Sequence, residues 1–555
     1  DVPENKIEVD VKRLGGGFGG KEDQATHWAV MAAVAARHTG RPVEIVLHRE
    51  EDIRMTGKRH PYESDFKIGL GDDGLILAFE AKHFQNAGAF ADLSMPVLER
   101  TLFHSTNAYF IPNVRVHAAC CRTNLAPSTA FRGFGGPQGM FVIEAAIVKA
   151  ADATGLDPDR IQAKNLLREG DEFYYGQKTE RCMMRRTWDE AEKQFDLESF
   201  RKRVRNFNES NFGMKKGFAV MPVCFGISFT KSFLNQAGAL VHVYTDGSVS
   251  VTSGGIEMGQ GLSTNLRSIA ARTFGIDPAR VKVEATNTTR VSNMSPSAAS
   301  ATTDLNGNAV IQAVREIRGG LLRVAGELLG VKADALTIER DRVVRDGKPT
   351  DVDWNRLVGE AYMRRRKLSA YGYYATPNLT FDRATNKGNA FAYHVYGTCI
   401  TEVSLDCLRG INTVDSVKVM HDLARPINEL VDLGQIEGGL MQGLGWMTME
   451  DLVWDEKGRF TSGSLSTYKA PDVYFAPDDL DVRFLPFWEN EPGPLGAKAV
   501  GEPPLMYGIG VYFALQSAIR AFAPDTPLSF HTPMTPERAL MALHSKPAGA
   551  RAARS

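Results

Sequence analysis

The residues with most chemical potential in this chain sit in five glycine-rich stretches. They are RLGGGFGGKE (Arg13–Glu22), RGFGGPQG (Arg132–Gly139), GGIEMGQG (Gly254–Gly261), GQIEGGLMQGLG (Gly434–Gly445) and AKAVGEPP (Ala497–Pro504). Each precedes or opens a helix-like run. Glycine lets backbone N–H groups approach a ligand closely, and helix N-termini favour anions and hydrogen-bond acceptors. One such loop reads as a tight strand–helix turn. Five of them, distributed from Arg13 to Pro504, imply one large polar cofactor gripped from several sides. Two carboxylates belong to these stretches. Glu22 follows Gly20 and Lys21 at a helix start. Glu502 precedes Pro503 and a run with apolar Leu505, Ile509, Tyr512 and Ile519. By spacing alone both are helix-start acids, stabilised as anions by the helix dipole. Arg100, in LERTLFH, reads as a surface residue or salt-bridge partner. Phe134 is unusual for a phenylalanine because flanking glycines offer few packing partners.

The elements that position these residues are mixed throughout, which gives an α+β fold class. A strand-like run, IEVDVK, precedes the first glycine loop. A helix-like run, QATHWAVMAAVAA, follows it, and then a strand-like run, RPVEIVLHRE. Glycines 15, 17 and 20 satisfy G-x-G-x-x-G, so a Rossmann-type NAD-dependent dehydrogenase is one reading, with Glu50 or Glu51 reaching a ribose. Hairpin signals at Asp73-Gly74 and Asp246-Gly247 argue against a succession of parallel βαβ units. That reading also leaves four glycine loops without a task. PQGMFVIEAAIVKAADATG is apolar nearly all round and predicts a buried helix; NAVIQAVREIRGGLLRVAGELLG predicts another. The expected division is a first domain over 1–175, a charged connection over 176–214, a second domain over 215–545 and a flexible tail over 546–555.

Composition bounds the function. Of 555 residues, 43% are hydrophobic and 24% charged, and the net charge is −1, so neither nucleic acid nor an anionic membrane is expected as the main partner. No apolar run has membrane-spanning length. Cys120, Cys121, Cys182, Cys224, Cys399 and Cys407 lack zinc and iron–sulfur spacing, and the twelve histidines form no H-E-x-x-H pair. Free thiols suit a reducing compartment, hence the cytoplasm. The sequence begins at Asp1, almost inside a strand, and reads as a fragment or processed piece.

Together the loops resemble the molybdenum-binding region of the xanthine dehydrogenase/oxidase family. KRLGGGFGGKE, TAFRGFGGPQGM, FGISFT with LNQAGALVHVYTDGS, EMGQGL, SPSAAS, GQIEGG and KAVGEPP occur in the family's order. The resemblance covers essentially the whole chain. It implies two elongated mixed α/β domains with a molybdopterin cofactor at their interface, the molybdenum carrying oxo, sulfido and hydroxo ligands. It implies 2Fe–2S clusters and FAD on partner segments, an upstream part of the same subunit with a glutamine near molybdenum, and a dimer of the assembled unit. The implied reaction is hydroxylation of hypoxanthine to xanthine and of xanthine to urate, with water as oxygen source and NAD or oxygen as final acceptor. Glu502 becomes the general base. Glu22 and Arg100 become a polar clamp on the purine, a pair that distinguishes purine-hydroxylating members from aldehyde-oxidising ones. Phe134 and Phe229 sandwich the substrate and Thr230 meets a ring oxygen. Phe18, Arg132 and Ala299 adjoin the molybdenum. Gly17, Gly19, Ala298, Gln260 and Gln435 contact the cofactor. Lys498 falls at the pocket rim or in solvent. An aldehyde-oxidising relative and a non-catalytic relative are the alternatives within this resemblance.

Overall fold

The computed structural model describes residues 2–544, so the tail expected over 546–555 lies outside the described residues. Three sheets carry the architecture. In the first, Tyr62–Leu70 pairs antiparallel with Ile76–Gly88, and Val114–Arg122 adds in parallel. The expected turn falls where Gly74 adopts a φ of +83°, a left-handed conformation that glycine reaches without penalty. In the second, Tyr393–Asp406 runs between Met214–Ile227 and Ile411–His421, and Asp479–Phe484 closes one edge in parallel. The central strand is buried along almost its whole length, although it carries His394, Thr398, Thr401 and Glu402 among its apolar residues. In the third, Ser369–Ala375, Gln236–Val243, Val249–Ser253 and Val281–Val283 lie in that order, the middle pair forming the second expected hairpin. Helix and strand alternate, with no barrel.

Helices complete each core. Gly136–Thr154 is buried over most of its length, as its all-round apolarity predicts. Ile509–Phe522 lies on the second sheet, and Thr302–Leu329 on the third. Both contacts use the same device. A Cβ built on Gly217 would land on the carbonyl oxygen of Ala514, and one on Gly372 would land on that of Ala309. A missing side chain on the strand thus lets each helix backbone settle onto its sheet.

Three expectations change. RPVEIVLHRE forms no strand: the residues from Pro42 to Leu47 have no regular secondary structure, and their β-branched side chains find no neighbouring strand among the described residues. The strand before the first glycine loop is only Asp10–Val11, and it pairs antiparallel with Thr286–Asn287. No parallel βαβ unit therefore frames GGGFGG, and the dinucleotide reading loses its scaffold. The charged stretch 176–214 contains two packed helices, Met184–Phe195 and Leu197–Ser210. Most of their charges face outward, Arg201 excepted, while Trp188, Phe195 and Phe200 enter the core shared with the first sheet.

The helix Lys21–Thr39 stands apart. None of its residues is buried, and Val30, Met31 and Val34 are 54%, 47% and 63% exposed.

Candidate functional site

Four of the glycine loops and the AKAVGEPP loop converge on one cleft of about 1350 Å³. Gly15–Gly19, Lys21 and Glu22 form one wall. Arg132 and Phe134, the Ser292–Ser300 loop, Gln260, Gln435 and Ala497–Glu502 form the others. Of the residues singled out in the sequence, the structure brings Gly17, Phe18, Gly19, Glu22, Arg132, Phe134, Gln260, Ala298, Ala299, Gln435, Lys498 and Glu502 to this cleft.

Arg132 ties the walls together. Its Nε donates to the Gly501 carbonyl, its Nη2 to the Gln435 carbonyl (3.2 Å) and its Nη1 to Gln442 Oε1 (3.4 Å). Its backbone N–H donates to the Phe18 carbonyl at 2.8 Å. One residue thus links four segments. Burial lowers the guanidinium pKa to about 10, with the Glu502 charge opposing the shift, so Arg132 stays a cation at neutral pH.

Glu502 is held by two donors. The Gly133 N–H reaches its Oε1 and the Ser300 hydroxyl its Oε2, both at 3.1 Å. The Glu502 N–H in turn donates to Ser300 Oγ at 2.8 Å. An ionised carboxylate has about four lone-pair sites, so two such bonds fix its orientation and leave acceptor capacity for a further donor. Glu22, only partly covered at the start of its own helix, is desolvated in the cleft, which raises its pKa above the ordinary range; Asp23, Asp92 and Glu502 push the same way, against the pull of a backbone hydrogen bond.

The loops are bent in an unusual way. Phe18, Phe134, Ala299 and Ser300 have φ of 55°, 55°, 56° and 54°, left-handed conformations in residues that carry side chains. Elsewhere the glycines supply room. A Cβ built on Gly15, Gly259, Gly434 or Gly438 would meet no atom within 4 Å, and all four line the cleft. The backbone at these four positions faces open space.

Three residues lie elsewhere. Arg100 is 1% exposed and is neither a surface residue nor in a salt bridge. Its guanidinium donates to the carbonyls of Gly226 and Ser228 and lies between the rings of Phe225 and Phe391, 4.9 and 5.0 Å from their centroids. It stands behind the cleft wall, so only the Glu22 end of the expected clamp lines the cleft. Phe229 packs at the edge of the core. Thr230 also lies off the lining, its hydroxyl donating to Glu99 at 3.2 Å. Gln260 lines the cleft but spends both side-chain groups on its own loop, bonding Met258 N (2.6 Å) and the Ile256 carbonyl (2.8 Å). Lys498, expected at the rim or in solvent, has a buried ammonium.

Sequence reasoning passed over two cleft carboxyls. Burial pushes Asp304 and Asp432 up to about 7, against hydrogen bonds from Tyr393 and from the backbone near Asn428, respectively. Both occupy first turns of helices, a signal too common to single them out.

Two family models match the chain, both described as a molybdopterin cofactor-binding domain. One spans residues 1–166 and the other 190–477, more than half of the chain. The chain belongs to the molybdopterin cofactor-binding domain family. It is 42% identical over 520 residues to xanthine dehydrogenase/oxidase of Rattus norvegicus, covering 94% of this chain and 38% of that one. It is 40% identical over 555 residues to xanthine dehydrogenase of Oryza sativa subsp. japonica, covering 98% and 39%. It therefore spans about two fifths of the length of these relatives. The aldehyde oxidoreductase of Desulfovibrio gigas matches in structure with a TM-score of 0.83 at 27% identity, over 98% of this chain and 55% of that one. The cleft fits the family's cofactor. It is large and crossed by backbone, and its glycines leave open space where side chains would stand. Among the described residues no His, Cys, Asp and Glu cluster could hold a metal ion; an organic cofactor that carries its own metal does not require one. No helix of the described residues is long and apolar enough to cross a membrane.

Proposed function

We propose that this chain is the cofactor-binding catalytic part of a xanthine dehydrogenase, hydroxylating hypoxanthine to xanthine and xanthine to urate. The observation that carries the reading is the Glu502 carboxylate, fixed by Gly133 and Ser300 on the wall of a glycine-lined cleft that fits molybdopterin. In each turnover water supplies the oxygen, the purine loses a C–H hydrogen, and two electrons and two protons leave. When bound, the molybdenum group supplies the two-electron acceptor and the site of oxygen transfer. The protein's residues do the rest. Glu502 takes up the proton that water gives up as its oxygen is transferred, the work of a general base. Arg132 holds the loops of Phe18, Gly133, Gln435 and Gly501 in register. The backbone at Gly17, Phe18, Gly19, Ala298 and Ala299, with Gln435, forms the cofactor's cradle, and Gln260 staples one of its loops. Glu22 binds a polar edge of the purine and Phe134 covers a ring face. Phe229, Thr230 and Arg100 shape the wall behind. Relatives named xanthine dehydrogenase at 40–42% identity over nearly the whole chain support the substrate class.

The relatives' greater length and the apolar face of the helix Lys21–Thr39 support a further polypeptide segment packed there. In this reading that segment belongs to the same subunit. The electrons leave through 2Fe–2S clusters and FAD carried by partner segments, and the assembled unit is a cytoplasmic dimer. The chain divides into cofactor-binding domains at about 1–175 and 215–545.

A second reading, an aldehyde-oxidising enzyme, is favoured by the placement of Arg100 away from the cleft. One experiment separates the two. Metal analysis and kcat/KM for xanthine and for an apolar aromatic aldehyde are measured on the assembled enzyme, wild type and Glu22→Val. On the purine reading, molybdenum is near stoichiometric, and the variant loses about 10²-fold or more for xanthine while the aldehyde is spared. Equal losses for both substrates overturn the purine reading.

A further inference from the structure

The side chain four residues before Glu502 is buried, charged and unused by the mechanism above. The Lys498 side chain is 2% exposed and that of Asp422 0%, and Nζ lies 2.7 Å from Asp422 Oδ2. The ammonium also donates to the His394 carbonyl at 2.8 Å. Three rings surround it, with the centroids of Trp488, Tyr396 and Tyr393 at 4.7, 5.1 and 5.9 Å. Asp422 is equally committed. Its Oδ1 accepts from Trp488 Nε1 at 2.8 Å and from the Ala424 N–H at 3.1 Å.

A buried ion pair is poor evidence for stability, because desolvation of both charges consumes most of the attraction. Its advantage is geometric: a charge sunk in low dielectric with several fixed partners has one place to be. Lys498 is sunk at the root of the loop that ends in Glu502. The backbone around it is fixed by separate bonds. The Lys498 N–H donates to the Leu423 carbonyl at 3.2 Å, and Ala497 bridges to Ala424. The Ala499 N–H donates to the Tyr393 hydroxyl at 2.9 Å, which donates to Asp304 at 2.6 Å. At the far end Arg132 holds the Gly501 carbonyl and Ser300 holds Glu502. Between Ala499 and Gly501 the loop makes no further hydrogen bond among the described residues; Val500 holds it by packing in the core, and Gly501 has no side chain.

We propose that Lys498 and Asp422 are positioning residues for the general base, a buried anchor that sets where the Glu502 carboxylate stands in the cleft. The proposal rests on the reading of Glu502 as that base. Both charged side chains are buried, 2% and 0% exposed, and the pair acts through the loop.

The test is kinetic, on the assembled molybdenum-loaded enzyme. Lys498→Met should lower kcat for xanthine by about 10- to 100-fold, the scale of a displacement of about 1 Å in a reacting group. KM should stay within about twofold and molybdenum content should be unchanged. The double variant Lys498→Met/Asp422→Asn leaves no unpaired buried charge; it should fold and show the same kcat loss. The decisive comparison is made in a Glu502→Gln background, with reduction of the enzyme by substrate followed in single turnover. There Lys498→Met should change the residual rate by less than about twofold, because the group it positions is already gone. An undiminished kcat in the double variant overturns the proposal. So does an equal fold-loss with and without Glu502, which is the mark of a general structural defect, and so does loss of molybdenum in the double variant. If Glu502→Gln alone keeps wild-type turnover, the general-base reading falls, and the anchor falls with it.

Discussion

Glu502 stands on a wall that this chain completes, whereas Glu22 stands at the foot of a helix that buries nothing. Behind Glu502 lie the second sheet, the helix Ile509–Phe522 and the Lys498–Asp422 pair, all within one continuous core. Behind Glu22 lies Lys21–Thr39, with Val30, Met31 and Val34 turned to solvent. The same kind of sequence, a glycine loop leading into an apolar helix, has produced both. Whether such a helix becomes core depends on the chain available to cover it. Helical propensity and capping fix the element itself; Gly40 ends Lys21–Thr39 in the left-handed conformation as Gly155 ends Gly136–Thr154.

Substitutions on the two walls should therefore differ in kind. The largest effect belongs to Glu502→Ala, which should reduce xanthine turnover by about 10²–10⁴-fold with molybdenum content intact. Loss of the metal together with activity would assign Glu502 to the cradle and erase the functional part of the contrast. Next comes the packing of the completed wall. Gly217→Ala places a methyl on the Ala514 carbonyl and should destabilise the chain by about 1–3 kcal/mol in chemical denaturation, the usual range for overpacking. An unchanged midpoint would mean that the helix shifts freely on its sheet.

A comparable effect comes from Glu144, buried in the helix Gly136–Thr154 and bonded by Asn107, Tyr109 and Gln162. Burial raises its pKa from 4.5 to about 7, against the lowering by those three bonds. Between these values the native state holds a proton that the unfolded chain has released. Stability from this group is therefore greatest at low pH and is lost as pH climbs through about 7. Comparing about pH 5.5 with about pH 7.5, Glu144→Gln should flatten the dependence by about 2 kcal/mol. An unchanged slope would assign the dependence to other carboxyls. The smallest effect belongs to the open wall. Val34→Asp should leave the stability of this chain within about 0.5 kcal/mol of wild type, as exposed sites do. The same change should weaken assembly of the complete enzyme, read by size-exclusion chromatography. Full assembly would remove the argument that Lys21–Thr39 is an interface.

Much of the site was legible because its signals are contiguous. Each glycine loop is a short string followed at once by a helix, and Gly17 and Gly19 stand in such a string; Phe18, Arg132, Ala298 and Ala299 took their roles from the family resemblance alone. Glu22 and Glu502 needed the family resemblance, since an acid at a helix start has an ordinary explanation. What was not legible depends on distant partners. Arg100 is oriented by carbonyls 126 and 128 residues away, and Lys498 by a carboxylate 76 residues away. Nothing near either residue in sequence signals the pairing. RPVEIVLHRE has the composition of a strand, but a strand exists only where another pairs with it. In 176–214 the many charges masked two amphipathic faces, because outward residues outnumber the few that anchor each helix.

The left-handed residues Phe18, Phe134, Ala299 and Ser300 bear on the cost of the cleft walls. Non-glycine residues in this region cost about 1–3 kcal/mol each and persist only where the surroundings over-determine them. Four of them border one cleft, so the wall loops store strain that the cores behind them must offset. Loosening of that packing would therefore show first as a loss of the cleft's shape.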